Sequence, residues 1–238
     1  MFDFTNKVVM VTGAIGNLGA VLARTFQASH AKLVLIDRGE DRLKQTFPDL
    51  VGSPDYLLVN CAELMNEKAV EASVVEAYQH FERIDVLVNT VGGFRAGKML
   101  HETSIETLDF MFNLNAKAVF IASQRVVPRM LEGGSGKIIN LAARPGLEGQ
   151  AGMSAYSASK SAVFRFTESM AAELKDQGIN VNCVIPGTID TPQNREAMPD
   201  ADFSTWVAPE SLADVILFLA SEAARDIHGA AIPVYGRS

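Results

Sequence analysis

Cysteine is scarce in this 238-residue chain: Cys61 and Cys183 stand far apart, with no CxxC partner and no neighbouring His cluster. A disulfide scaffold is excluded on that count, and free thiols of a reducing compartment are expected. The four histidines, His30, His80, His101 and His228, are scattered. No pair has ligand spacing, so no metal site is expected. Positive charge is short as well: 21 Lys and Arg against 28 Asp and Glu leave a formal charge of −7. A nucleic-acid-binding surface needs clustered cations, so that class is excluded. Long apolar runs are missing. The stretch 215–220 is among the most apolar and falls far short of a membrane span. The start, Met1-Phe-Asp-Phe-Thr-Asn-Lys7, has no basic segment leading into an apolar one. The expectation is a cytoplasmic protein without membrane or nucleic-acid partners.

The composition that remains, 48% hydrophobic and 21% charged, is that of an ordinary globular chain. Short runs rich in Val, Ile and Leu recur at 7–12, 31–36, 55–60, 84–89, 137–141, 179–185 and 231–234. Between them lie stretches with helical periodicity at 17–29, 66–81, 104–131, 153–177 and 209–221. Nearly continuous apolar strands are what a parallel sheet needs when helices cover both faces. Strand and helix alternating through the chain predict an α/β fold, a Rossmann-like, doubly wound parallel sheet of about seven strands. No linker divides the chain, so one domain over 1–238 is expected.

The first strand runs into Thr12-Gly-Ala-Ile-Gly-Asn-Leu-Gly19 and then an Ala- and Leu-rich helix. Such a turn lets backbone amides approach a pyrophosphate, and the helix start adds a positive dipole end. The second strand ends at Asp37-Arg38, 24 residues after Gly13 (37 − 13). A carboxylate there accepts hydrogen bonds from a ribose and repels a 2′-phosphate, which favours NAD(H) over NADP(H). Arg38 is the counterweight, since a guanidinium pairs well with that phosphate. Further on, Tyr156-Ser-Ala-Ser-Lys160 opens a helical stretch. Residues four apart share a helix face, so phenol and ammonium point into one site. A free phenol titrates near ~10, and a nearby ammonium is expected to lower that value.

With these motifs in order, the sequence resembles the short-chain dehydrogenase/reductase family over essentially its whole length. Asn89-Thr-Val-Gly92 stands where that family has its N-N-A-G turn, Asn115 matches its helix asparagine, and Pro186-Gly187 ends the strand near the nicotinamide. The resemblance implies an NAD(P)-dependent oxidoreductase in which Tyr156, Lys160 and Asn115 carry the proton relay. It implies cofactor contacts from Gly13, Ile15, Gly16, Asn17, Leu18 and Gly19 in the first turn, and from Asp37, Arg38, Asn60 and Cys61 after the second and third strands. Asn89, Val91, Gly92 and Leu141, with Tyr156 and Lys160, are implied around the nicotinamide, followed by Pro186, Gly187, Ile189 and Thr191. The stretch 188–208 falls where the family places its substrate lid, with Phe94, Arg144 and Trp206 as substrate contacts. Phe94 and Trp206 are placed to flank a flat ring.

Three departures stand out. Asn17 replaces a usual glycine, and Asn tolerates positive φ better than other non-glycine residues. Asn60 replaces an aspartate that contacts adenine. Counting 13 back from Tyr156, the position of the family's catalytic serine is Ala143 (156 − 13). Losing such a donor typically costs ~10²–10³ in rate. Three options stay open: Tyr156 alone acts on an easily reduced substrate, Ser154 or Thr188 substitutes, or the protein binds nucleotide as a non-catalytic sensor. Dihydropteridine reductases are members that keep Tyr and Lys and lack the serine, and Gly92-Gly-Phe94, 149–153 and 188–206 are similar to them. That points to a small conjugated C=N or C=O acceptor; the alternative is a carbonyl reductase or alcohol dehydrogenase of the 3-oxoacyl reductase kind. The helices over 104–131 and 153–177 are apolar on more than one side, at Val119, Ile121, Val126, Val163, Phe166 and Met170. A homodimer or homotetramer is expected there, as in the family.

Overall fold

The structure is a computed structural model describing residues 2–61 and 63–237. Seven strands form one parallel sheet: β1 (Val8–Thr12), β2 (Lys32–Asp37), β3 (Tyr56–Asn60), β4 (Val86–Asn89), β5 (Gly136–Leu141), β6 (Ile179–Pro186) and β7 (Ala231–Val234). Their order is β3-β2-β1-β4-β5-β6-β7. The chain winds outward in one direction from β1 and then in the other from β4. The crevice at the carboxyl ends of these two strands is where open α/β sheets place their ligands.

The strand sequences explain why both faces are covered. Val9, Val11, Leu33, Leu35, Val86 and Val88 pack on one face, and Val8, Met10, Val34, Ile36 and Leu87 on the other. Successive side chains point to opposite faces, so an uninterrupted apolar run demands helices on both. Helices α1 (Asn17–Ala28) and α8 (Pro209–Ala220) cover the first face. Helices α3 (Glu67–Phe81), α5 (Ala118–Gly133) and α6 (Ser154–Leu174) cover the second.

Three features differ from the sequence expectation. A charged helix, α2 (Glu40–Thr46), forms where no helical stretch was expected; only its Leu43 is buried. The helix expected over 104–131 is two helices, α4 (Ile105–Phe112) and α5, joined by a π-helical turn at Asn113–Lys117. A short helix, α7 (Pro192–Ala197), sits in the excursion between β6 and α8. Most of the apolar positions offered as a subunit contact lie inside the chain. Val119, Ile121, Val126 and Val163 are buried inside the chain and Phe166 and Met170 are half-buried, whereas Ile105, Phe110, Phe112, Phe120 and Leu131 are exposed on α4 and α5. The buried ones pack within the chain, and Phe120 meets Phe166 at 5.4 Å between α5 and α6. Among the described residues no helix is long and apolar enough to cross a membrane, and no His, Cys, Asp and Glu cluster has a metal-binding arrangement.

Candidate active site

A cleft of about 500 Å³ opens at the carboxyl ends of β1 and β4. Gly13, Ile15, Gly16, Asn17, Asp37, Arg38, Cys61, Val91 and Gly92 line it, as the sequence suggested; Arg42, Leu64, Thr90, Phe110 and Gln193 were not foreseen. Gly13 has φ +76, where a side chain would be strained. A Cβ at Gly19 would collide with the Gly13 carbonyl oxygen. These two glycines hold the turn close under the start of α1, whose first amides carry no side-chain cap. Uncapped amides beside a cleft fit a dinucleotide's pyrophosphate.

Asn17 corrects the expected reason for its tolerance: it is the first residue of α1 and does not have positive φ. Its amide instead donates to Gln193 Oε1 at 2.6 Å, tying the glycine turn to α7. Leu18 is turned into the core. The Asp37 carboxylate accepts from the amides of Ile15 at 3.0 Å and Arg38 at 2.7 Å, so it braces the turn while facing the cleft. The Asn60 side-chain Oδ1 accepts from Gly39 N–H at 2.9 Å. Asn89 also has a different job. Buried, it donates to Asn140 Oδ1 at 2.9 Å and to Ser123, and accepts from Thr12, locking the strand ends from behind.

At the far end of the cleft, α6 carries Tyr156 and Lys160 on one face. The Lys160 ammonium is buried and donates to the Leu141 carbonyl at 2.9 Å. A Cβ at Gly92 would come within 3.2 Å of its nitrogen and 3.0 Å of Asn115 Oδ1, so the chain passes close to both. Asn115 is fully buried in the π-helical turn. Its amide accepts from Gly93 N–H at 2.9 Å and donates to Gly93 O at 3.1 Å and Ser159 Oγ at 3.0 Å. Ser159 in turn donates to the Tyr156 carbonyl at 2.8 Å. It lies inside the Tyr-to-Lys motif, and its spacing gave no signal of this bridge. Single π-helical turns concentrate at functional sites because the extra residue re-aims a side chain.

Burial pushes the Tyr156 phenol up to about 12, and the Lys160 ammonium down to about 8. The expected lowering of the phenol by the lysine is not seen in the polypeptide alone. Desolvation governs both groups, and the ammonium is turned to Leu141. Ala143 is buried, extended, and presents only a methyl group. Phe94 is 58% exposed and stands edge-on to Tyr156 at 4.8 Å, whereas Trp206 meets Phe203 at 4.8 Å with the rings tilted by 55°. Arg144 lies over the Tyr235 ring at 5.1 Å.

The segment after β6 is a closed excursion. Gly187 N–H bonds Val234 O at 2.9 Å, and Ile189 bridges Val207. Thr191 caps α7 by accepting from Asn194 N–H at 3.2 Å. Arg195 pairs with Asp190 at 2.6 Å and covers Phe203.

A doubly wound sheet, a glycine turn at its switch point and a Tyr–Lys pair facing that turn define a nucleotide-dependent oxidoreductase architecture. The sequence matches the short chain dehydrogenase family over residues 7–202, and the chain belongs to that family. It is an NAD(P)-dependent oxidoreductase. One relative is a (2S)-[(R)-hydroxy(phenyl)methyl]succinyl-CoA dehydrogenase subunit, BbsD, of Thauera aromatica; it is 33% identical over 97% of this chain and 96% of its own length. Another, the 3-oxoacyl-[acyl-carrier-protein] reductase FabG of Thermotoga maritima, is 32% identical over 97% and 96%. The solved structure of ElxO with NADP bound superposes with a TM-score of 0.89 at 25% identity, over 97% of each chain.

Proposed function

We propose that the chain is a cytoplasmic, single-domain reductase that passes a hydride from NADH to a small acceptor with a conjugated C=N or C=O bond. The observation that carries this reading is that Asp37 and the glycine turn line a cleft that reaches Gly92, where the chain passes close to Lys160 and Asn115. The dinucleotide, when bound, supplies the hydride. Tyr156 supplies the proton to the acceptor's nitrogen or oxygen, which carries the electron pair released as the acceptor carbon is reduced. The phenol is protonated at neutral pH, and because burial makes it a weaker acid, the charged groups of the assembled site are what ease its proton transfer. Lys160 would hold a ribose hydroxyl of the bound dinucleotide, and Asn115 braces the Gly93 backbone beside it. Ala143 offers no second hydrogen bond. A conjugated acceptor, such as a quinonoid dihydropterin, needs less of that help than a simple ketone.

Asp37 supports NADH; Arg38 and Arg42 in the same wall are the groups that would favour a 2′-phosphate. A second reading, a 3-oxoacyl thioester reductase with Ser154 or Thr188 replacing the serine, draws on the relatives' names. Copies of the chain are taken to pair through the face bearing Phe112, Phe120 and Leu131, with sedimentation as the check. The substrate test is NADH consumption against quinonoid dihydropterin, 3-oxoacyl thioesters and simple ketones. Preference for the conjugated imine supports the first reading, and activity on thioesters or ketones alone sinks it. Tight NADH binding with no turnover of any acceptor would point to a nucleotide sensor.

A further inference from the structure

A second cavity, of about 420 Å³, lies beside the catalytic tyrosine, where the loop after β4 meets the start of α6. A hydrogen bond from Gly97 N–H to Gly152 O at 2.9 Å clasps the two segments that form it. Phe94 is shared: its ring lines the cavity and also meets Tyr156 edge-on at 4.8 Å. The cavity is thus one aromatic ring removed from the reacting centre.

Its charge is one-sided. Arg95 and Lys98 line it, and no Asp or Glu does. Among the described residues neither cation has a carboxylate within ion-pair distance, although the chain as a whole carries a formal charge of −7. The Arg95 guanidinium lies over the Phe110 ring at 3.6 Å, which fixes its position without neutralising it. The nearby acids are occupied elsewhere: Glu102 accepts from Met99 N–H at 3.3 Å, and Glu106 turns to Ser104 and its own amide. Ser154 adds a half-buried hydroxyl to the wall. In an acidic protein, two cations without a carboxylate partner around a concave site favour an anion.

We propose that this cavity receives an anionic arm of the substrate, a phosphate or a carboxylate, held by Lys98 and Arg95 while the reducible end lies against Tyr156. Acceptors bearing such an arm are then selected over neutral acceptors with the same reacting group. The inference rests on the reductase reading of the cleft, and its test separates the two.

The test is calorimetric titration of the full chain saturated with NAD⁺, which keeps nucleotide-like probes out of the cofactor cleft. Butyryl-coenzyme A carries a phosphate arm, glutarate a carboxylate arm, and butyryl-N-acetylcysteamine is the neutral control. At least one anionic probe binds more tightly than the control, and raising the salt concentration weakens it. Lys98→Glu weakens that probe at least about fivefold, Lys98→Arg keeps it within about twofold, and neither variant alters the neutral control. Whichever anionic probe binds identifies the arm. Equal binding of charged and neutral probes, no binding of either anion, or indifference to Lys98→Glu overturns the proposal. Tyr156→Phe separates the readings: it keeps anionic binding and loses turnover. If it keeps turnover the reductase mechanism fails, and if it loses anionic binding the arm site fails as drawn.

Discussion

At one end of the cleft Gly19 lies so close to the Gly13 carbonyl that no side chain fits, and the Asp37 carboxylate is held by two backbone amides. At the other, Phe94 is 58% exposed and Leu100, in the same segment, 74%. The cofactor end is specified by backbone, which only a few residues permit. The substrate end is specified by side chains on loops, where many residues are tolerated. Tyr156, Lys160 and Asn115 lie between them, and their positions are fixed by helix α6 and the π-helical turn rather than by either loop system.

The sharpest way to break the comparison is at the point where the two ends meet. Replacing Lys160 by Met should lower kcat by about 10²–10⁴ while leaving the fold intact. It should also change how stability depends on pH. The lysine's folded value, about 8, lies below its ordinary 10.5, so between these values the unfolded chain holds the proton that the native chain has lost. Wild-type stability therefore gains on the variant as pH rises from about 8, by about 2 °C per pH unit in Tm. The comparison is best read up to pH 9, because Cys183, raised to about 12, pulls the other way above its ordinary 9.0 in both proteins.

At the cofactor end, Gly19→Ala should cost about 10–100-fold in NADH affinity and about 1–3 kcal/mol of stability, because backbone must move to admit the methyl. Fluorescence titration and thermal melts measure both. Asp37→Ser should shift the NADH to NADPH affinity ratio by about tenfold toward NADPH, since the repelling carboxylate is gone and Arg38 and Arg42 remain. The smallest effect is expected where the two ends are tied. Gln193→Ala removes the bond to Asn17 and should speed NADH dissociation about two- to fivefold in stopped flow. No change there would mean that the excursion after β6 does not hold the cofactor end.

The same division explains what the sequence made legible. Seven apolar runs foretold seven strands because burial on both faces leaves no polar alternative. The glycine turn and the Tyr156–Lys160 spacing were readable because backbone approach and helix periodicity admit few substitutes. The π-helical turn at Asn113–Lys117 was not, since one added residue hardly alters the apolar period across 104–131. Helix α2 escaped because its seven residues bury only Leu43. The partners of Asn17, Ser159 and Phe94 were also invisible. Each depends on residues far away in the chain or on a rotamer, and local spacing records neither.

The central claim is that Tyr156 gives the proton that accompanies the hydride. Single-turnover oxidation of bound NADH by the preferred acceptor, compared between wild type and Tyr156→Phe, tests it most directly. The account predicts a rate lower by about 10²–10⁴ with NADH affinity unchanged within about twofold. An unchanged single-turnover rate in the phenylalanine variant would contradict it.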